Sequence, residues 1–262
     1  MNFPKSKIYI QQAILFFILF YMPHFTFSQQ LDSTTAIGHF SGAVTATNNG
    51  ISLLPNFSLG KPAVIFNMAM GKKRLSFEPE LRFAVAGGKP WSFLFWWRYK
   101  VVKTNNFSFN VGAHPSFVFR EKTFIVDGIS KDVLTAQRYL ATELVPNYEL
   151  SKHISVGVYY LHSIGLNQDA TKSTDFLAFR GNISNISLSK QFFLRIAPQL
   201  YYLNIDGKTG TYATSTFTLS KKDFPLSISS IMSQSIDTEI AGKDFVWNIS
   251  LIYAFAKNYV SQ

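Results

Sequence analysis

His114-Pro115-Ser116 puts an imidazole and a hydroxyl two positions apart. In an extended chain, side chains at i and i+2 share a face. An imidazole beside a serine can take the hydroxyl proton and make that oxygen a nucleophile for acyl transfer. Glu143 could lie on the neighbouring strand. A second constellation is electrostatic. Glu78, Glu80 and Arg82 alternate in one segment and Arg98 and Lys100 in the next, with Arg120, Glu143, Glu149 and Arg195 further along. Opposite charges on facing strands contribute about 0.2–1 kcal/mol per pair. The chain has no Cys, and His153 and His162 lack partners at ligand spacing, so no metal site is expected. With no glycine-rich phosphate loop, no cofactor is expected either.

These residues need strands to position them. Residues 107–120, FSFNVGAHPSFVFR, alternate without a break: Phe107, Phe109, Val111, Ala113, Pro115, Phe117 and Phe119 on one face, Ser108, Asn110, Gly112, His114, Ser116, Val118 and Arg120 on the other. A period of two marks a strand with unlike faces. About 9–11 tilted residues already cross a bilayer. Residues 74–86, 91–101, 192–202 and 247–255 alternate in the same way, with a weaker signal at 173–188 and 226–236. The fold class expected is all-β: an antiparallel transmembrane β-barrel of about twelve strands, apolar outside and polar within.

Short repeats mark the strand ends. Leu-Ser-Lys recurs at 150–152, 188–190 and 219–221, and Gly-Lys-Pro at 60–62 and 88–90. If the last strand ends in the periplasm, every Leu-Ser-Lys turn falls at that end. The Gly-Lys-Pro turns and a surface loop at 121–137 then fall at the outer end, giving short periplasmic turns and longer outer loops. The strands are expected to start near residues 51, 62, 74, 91, 107, 138, 153, 173, 191, 211, 226 and 245. Residues 29–50 read as an N-terminal extension or an extra strand, with 39–47 in the lumen or at the rim and Asn48-Asn49-Gly50 as a hairpin turn. A hairpin through 87–90 would place Glu78 opposite Lys100, Glu80 opposite Arg98 and Arg82 opposite Trp96. Prolines at 55, 79, 115, 146 and 198 fall inside strands, and each must sit at a bulge or a weakened ladder position.

Residues 1–28 read as a cleaved signal peptide: basic Lys5 and Lys7, the apolar stretch 13–22, and Thr26 and Ser28 three and one positions before the cut. Of 25 basic residues, removing Lys5 and Lys7 leaves 23 against 15 acidic, a net charge of +8. No Lys/Arg-rich run or basic helix accompanies that charge, which argues against nucleic acid. The lysines of the inner turns (72, 73, 103, 152, 190, 221, 222 and 257) can reach lipid phosphates.

The run from Thr47 through Lys100, with TNNGISLLPNFSLGKPA, RLSFEPELRF and GKPWSFLFWWRYK, resembles Gram-negative outer-membrane β-barrel proteins of the porin-like superfamily. That resemblance implies residence in the outer membrane and partners in its lipids and the barrel-assembly machinery. It supplies no catalytic residue. The function expected is a structural barrel, or a narrow channel for small solutes, its lumen lined by cross-strand acid/base pairs and the polar pair His114 and Ser116. The His-x-Ser pattern also resembles that of outer-membrane phospholipases and lipid A deacylases, which implies a lipid-acting acyl hydrolase as an alternative. Those enzymes turn the pair toward lipid, whereas here the apolar face carries Phe117 and Phe119. A ligand-binding barrel using the 121–137 loop is the third reading.

Overall fold

The computed structural model describes residues 37–52, 54, 57–126 and 129–260. The expected signal peptide and Pro55 lie outside the described residues. The alternating segments become β1 (Ile37–Thr47), β2 (Ala63–Lys72), β3 (Leu75–Ala84), β4 (Pro90–Lys103), β5 (Phe107–Val126), β6 (Ile129–Glu149) and β7 (Ile154–Gly165). The rest are β8 (Ser173–Ser187), β9 (Phe192–Ile205), β10 (Lys208–Lys221), β11 (Leu226–Thr238), β12 (Phe245–Trp247) and β13 (Ser250–Val260). From β1 to β11 each pairs antiparallel with its sequence neighbours, and β12 and β13 both pair with β11. β1 pairs with β13 from Ile37↔Val260 to Thr47↔Ser250, which closes the sheet. Closure removes the unpaired edges that lipid would not tolerate.

β12 and β13 form one barrel strand. Met232↔Trp247 and Leu226↔Tyr253 keep a single register on β11. Between them the Asn248 side-chain oxygen accepts the Ile231 N–H at 2.8 Å, replacing a ladder bond. The barrel therefore has twelve strands.

Three expectations need correction. Residues 39–47 are neither a lumen extension nor a rim strand: they belong to β1, which β2 and β13 flank over its length. No strand starts at 51; the described residues of 51–62 form a loop. Nor is 121–137 a surface loop. β5 and β6 stay paired from Phe107↔Tyr148 to Val126↔Ile129, so the segment is a hairpin that continues past the last pairings with β4 and β7, at Val118 and Tyr139.

Of the five prolines expected inside strands, the four that are described each weaken a ladder, because proline has no N–H to donate. Pairing lapses opposite Pro79 between β2 and β3, opposite Pro115 between β4 and β5, opposite Pro146 between β6 and β7, and opposite Pro198 between β8 and β9. Turns are tight at the end that holds the described limits of the chain, Ile37 and Val260, and this end carries the Leu-Ser-Lys repeats. By the convention of outer-membrane barrels that end is periplasmic. Both Gly-Lys-Pro turns fall at the other end, which also has the Asp206-Gly207 hairpin with φ of 50° and 87°. Positive φ at both central residues is the type I′ turn that suits twisted antiparallel strands.

Outward positions are apolar and exposed, among them Phe66, Trp97, Tyr99, Phe179, Leu200 and Tyr253. Inward positions are packed. Tyr159, Phe176, Tyr201 and Tyr212 form an aromatic row across β7 to β10, with Tyr201 and Tyr212 stacked at 4.9 Å. An eight-stranded barrel is just filled by side chains and barrels of about 16–18 strands leave a wide channel. Twelve strands lie between, so the contents of the lumen decide how much space remains.

Candidate functional site: the lumen

Register explains the central charge cluster. Arg98 on β4, Gly112 on β5 and Glu143 on β6 are directly opposed. Gly112 has no side chain, so Arg98 reaches over β5 to Glu143. A Cβ on Gly112 would lie 2.8 Å from Glu143 Oε1 and 3.2 Å from Arg98 Cγ, leaving no room for the bridge. Arg98 Nε donates to Glu143 Oε1 at 2.6 Å and Nη2 to Oε2 at 3.3 Å. Tyr159 O–H donates to the same Oε2 at 2.8 Å. The Glu143 side chain is only 1% exposed. A buried carboxylate is tolerated when it is paired and its oxygens are hydrogen-bonded, and these donors meet that need.

The cluster extends both ways. Arg98 Nη1 also pairs with Glu78, which accepts from Ser76 Oγ at 2.6 Å. The Arg98 guanidinium lies 4.3 Å from the Trp96 ring and Arg180 lies 4.7 Å from the Tyr159 ring. An arch of alternating charge and aromatic rings thus runs from β3 to β8.

A second cluster anchors the β1–β2 loop inside the barrel. Arg82 pairs with Glu80, which also accepts from Asn67 Nδ2 at 2.8 Å. A bulge at Trp91, between the pairs Arg82↔Ser92 and Phe83↔Pro90, turns that ring inward. Two successive residues, Trp91 and Ser92, are consequently buried. Trp91 Nε1 donates to the Phe57 carbonyl at 2.8 Å, and Phe57 packs edge-on against Tyr139 at 5.3 Å. Ser52 N donates to Ser58 Oγ at 2.9 Å, and Arg82 Nη1 reaches Ser52 Oγ at 3.4 Å. Ser52, Phe57 and Ser58 of this loop thus lie against the inner wall, while residues 60–62 are exposed at the outer end.

Open space remains on the opposite wall. A cavity of about 480 Å³ near the periplasmic end is lined by Arg180, Asn182, Arg195 and Gln199 among others, with no carboxylate. A second, of about 210 Å³, lies toward the outer end. The two share Ile51, Ser52, Tyr201 and Ser233 among their lining residues, so they adjoin there. A third cavity of about 220 Å³ lies beside Arg82, Trp96, His114 and Tyr159.

The hairpin pairing expected for the charges is corrected. Glu78 faces Trp96, Glu80 faces Leu94 and Arg82 faces Ser92, a four-residue offset from the expected register. The ion pairs are consequently diagonal or along one strand, and Lys100, exposed beyond them, takes part in no salt bridge among the described residues. Arg120 sits in the hairpin extension, where its carbonyl accepts from Thr135. Glu149 is exposed at the periplasmic end of β6, and Arg195 donates to Asn182 at the wall of the large cavity. His114 and Ser116 are buried in the lumen, 4% and 6% exposed. The imidazole packs against Trp96 at a tilt of 55° with ring centroids 4.0 Å apart, and its Nδ1 lies 3.2 Å from the Pro115 carbonyl. No hydrogen bond joins His114 to Ser116. The sequence reading missed Tyr159, Arg180 and the inward loop; only the register of β7 against β8 could have placed the first two.

A closed antiparallel barrel with an aromatic outer surface and a polar, arginine-bearing interior defines an outer-membrane porin fold. Two solved structures of the KdgM porin match it, one of them in complex with disordered oligogalacturonate. They give TM-scores of 0.52 and 0.51 at 10% and 9% identity, covering 82% and 83% of this chain and 99% of theirs. The COG4313 outer membrane channel from Pseudomonas putida F1 gives 0.50 at 12% identity, over 84% of this chain and 95% of that one. At these identities the likeness is one of fold. No family model matches the chain, and no curated relative matches it in sequence.

Proposed function

We propose that the protein is a narrow outer-membrane channel for small solutes, selective for anions, and not an enzyme. The observation that carries this reading is the pair of cavities that meet at Ile51, Ser52, Tyr201 and Ser233. Together they trace a path from the periplasmic to the outer end, narrowed where the β1–β2 loop approaches β9 and β11. The larger cavity, at about 480 Å³, falls within the roughly 300–1,000 Å³ of ordinary small-molecule sites. Arginines set its charge. Glu78, Glu80 and Glu143 are engaged by Arg82 and Arg98 on the other wall, so Arg180 and Arg195 face the open space without a carboxylate among its lining residues. The oligogalacturonate named for one KdgM structure is likewise a carboxylate-bearing solute.

The test is solute efflux from proteoliposomes containing the refolded protein. A small sugar acid should leave faster than a cationic sugar of equal size. A unit charge at about 4 Å contributes about 1 kcal/mol in water, so Arg180→Ser and Arg195→Ser should each reduce that preference about fivefold. Equal efflux of both solutes from the wild type would overturn the anion reading, and no efflux of either would overturn the channel.

A further inference from the structure

The lipid-facing surface carries a polar cluster that solute passage does not use. β7 turns Tyr159, Leu161 and Ser163 inward, where all three are buried, so Tyr160 and His162 face outward. β8 buries Thr174, Phe176 and Ala178, so Asp175 faces outward. His162 and Asp175 are direct partners in register. Tyr160 O–H donates to Asp175 Oδ1 at 2.8 Å, and His162 Nδ1 lies 2.9 Å from the same oxygen. The two side chains are 41% and 39% exposed. Around them Leu140, Leu144, Ile164 and Leu177 are exposed to lipid.

An ionisable pair on a lipid-facing surface is by default a candidate contact site, and its place near the strand ends, where headgroups lie, keeps its cost low. Its free valences say what the contact is. Both bonds end on Oδ1, so Asp175 Oδ2 has no hydrogen-bond partner among the described residues. With Nδ1 held by the carboxylate, His162 Nε2 is directed away from it. As an ion pair the two groups present an N–H donor and a carboxylate acceptor side by side, near the outer end of β7 and β8. His162 is the one salt-bridge partner of Asp175 among the described residues, so no Lys or Arg occupies the acceptor.

We propose that His162, Asp175 and Tyr160 form an outward-facing site for a lipid headgroup that carries a phosphate and a primary ammonium. The phosphate oxygen accepts from His162 Nε2–H, and the ammonium donates to Asp175 Oδ2. The two opposed charge pairs cancel, which removes the cost of facing lipid. A quaternary ammonium has no N–H for Oδ2, and a glycerol headgroup has no cation. The site therefore discriminates by headgroup chemistry rather than by acyl chain.

The test uses the full refolded barrel in nanodiscs of equal parts phosphatidylethanolamine, phosphatidylcholine and phosphatidylglycerol, with retained lipid read by native mass spectrometry. The wild type should retain phosphatidylethanolamine over phosphatidylcholine about tenfold, and Asp175→Asn and His162→Ala should each bring that ratio to near one. A parallel arm offers lipid A with and without phosphoethanolamine; selective retention there, without retention of phosphatidylethanolamine, supports the site and assigns its source as a glycolipid. Heat-modifiable electrophoretic mobility checks that each variant is folded, and the comparison of lipids on the wild type needs no variant. Equal retention of all headgroups in both arms overturns the proposal, as does a selectivity that both substitutions leave intact. Neither outcome depends on solute efflux, so the channel reading stands or falls separately.

Discussion

Arg98→Met should be among the most destabilising single changes in the lumen. Arg98 supplies two of the three donors that Glu143 receives, and the Glu143 side chain is 1% exposed. Removing one partner of a buried ion pair costs about 3–5 kcal/mol, because the remaining charge is stranded. Arg98 itself is 30% exposed, so solvent screens part of the loss and the lower end, about 3 kcal/mol, is expected. Adding Glu143→Leu removes the stranded charge. The double variant should then recover to within about 1–2 kcal/mol of the wild type, the remainder being the hydrogen bond lost by Tyr159 and the ion pair lost by the part-exposed Glu78. Urea unfolding of the barrel in lipid vesicles, followed by tryptophan fluorescence, measures all four corners of the cycle. Trp96 stacks on Arg98 and reports the site directly. An Arg98→Met variant within about 1 kcal/mol of wild type would refute the reasoning, as would a double variant less stable than both singles.

Gly112→Val tests the same bridge from β5: its Cβ would crowd Glu143 Oε1, so it should cost about 2–3 kcal/mol in wild type and little in a Glu143→Ala background, both by urea unfolding. Trp91→Phe removes the donor to the Phe57 carbonyl and should loosen the inward loop, increasing proteoliposome efflux without unfolding the barrel. At the outer end, Lys122 pairs with Asp169 and Lys89 with Glu121, tying the β5–β6 hairpin to its neighbouring loops. The hydrogen bond from Lys122 holds the Asp169 carboxyl below its ordinary value, so that tether is complete above the unfolded value and is lost as pH falls through the depressed one. The hydrogen bond to Glu121 raises the Lys89 ammonium, so the second tether is complete below the unfolded value and is lost as pH rises through the raised one. The protection factors of residues 119–138, the exchange rates divided by the intrinsic rate at each pH, should be flat across neutral pH and fall at both extremes; a fall near neutrality would contradict both assignments.

The alternation of 107–120 was legible because every residue obeys it: His114, Ser116 and Val118 are buried and Ala113 and Pro115 exposed. Strand number was legible too, for a reason that hid an error. The segment beginning at 51 is as apolar as a strand because a loop folded into a lumen must pack against Trp91 and Tyr139, and composition does not separate the two cases. Its place in the count of twelve belongs to β1, whose short run gains its role only from closing the barrel against β13. Register failed between β3 and β4 because a 3-10 turn at Ala86–Gly88 and the Trp91 bulge set the pairing, and neither leaves a periodic signal. The residues of the Arg98 cluster share one face in the sequence, but the reach across Gly112 needs three strands in register. His162 looked unpartnered because its partner Asp175 is on the next strand.

The central claim is that solutes pass the constriction formed by Ile51, Ser52, Tyr201 and Ser233. Single-channel recording in planar bilayers tests it most directly, comparing wild type with Ser52→Trp, which puts a large ring at the narrow point. The wild type should show discrete, small, anion-selective openings, and Ser52→Trp should abolish or sharply reduce them while remaining folded. A silent wild type, or a conductance that Ser52→Trp leaves unchanged, would contradict the account.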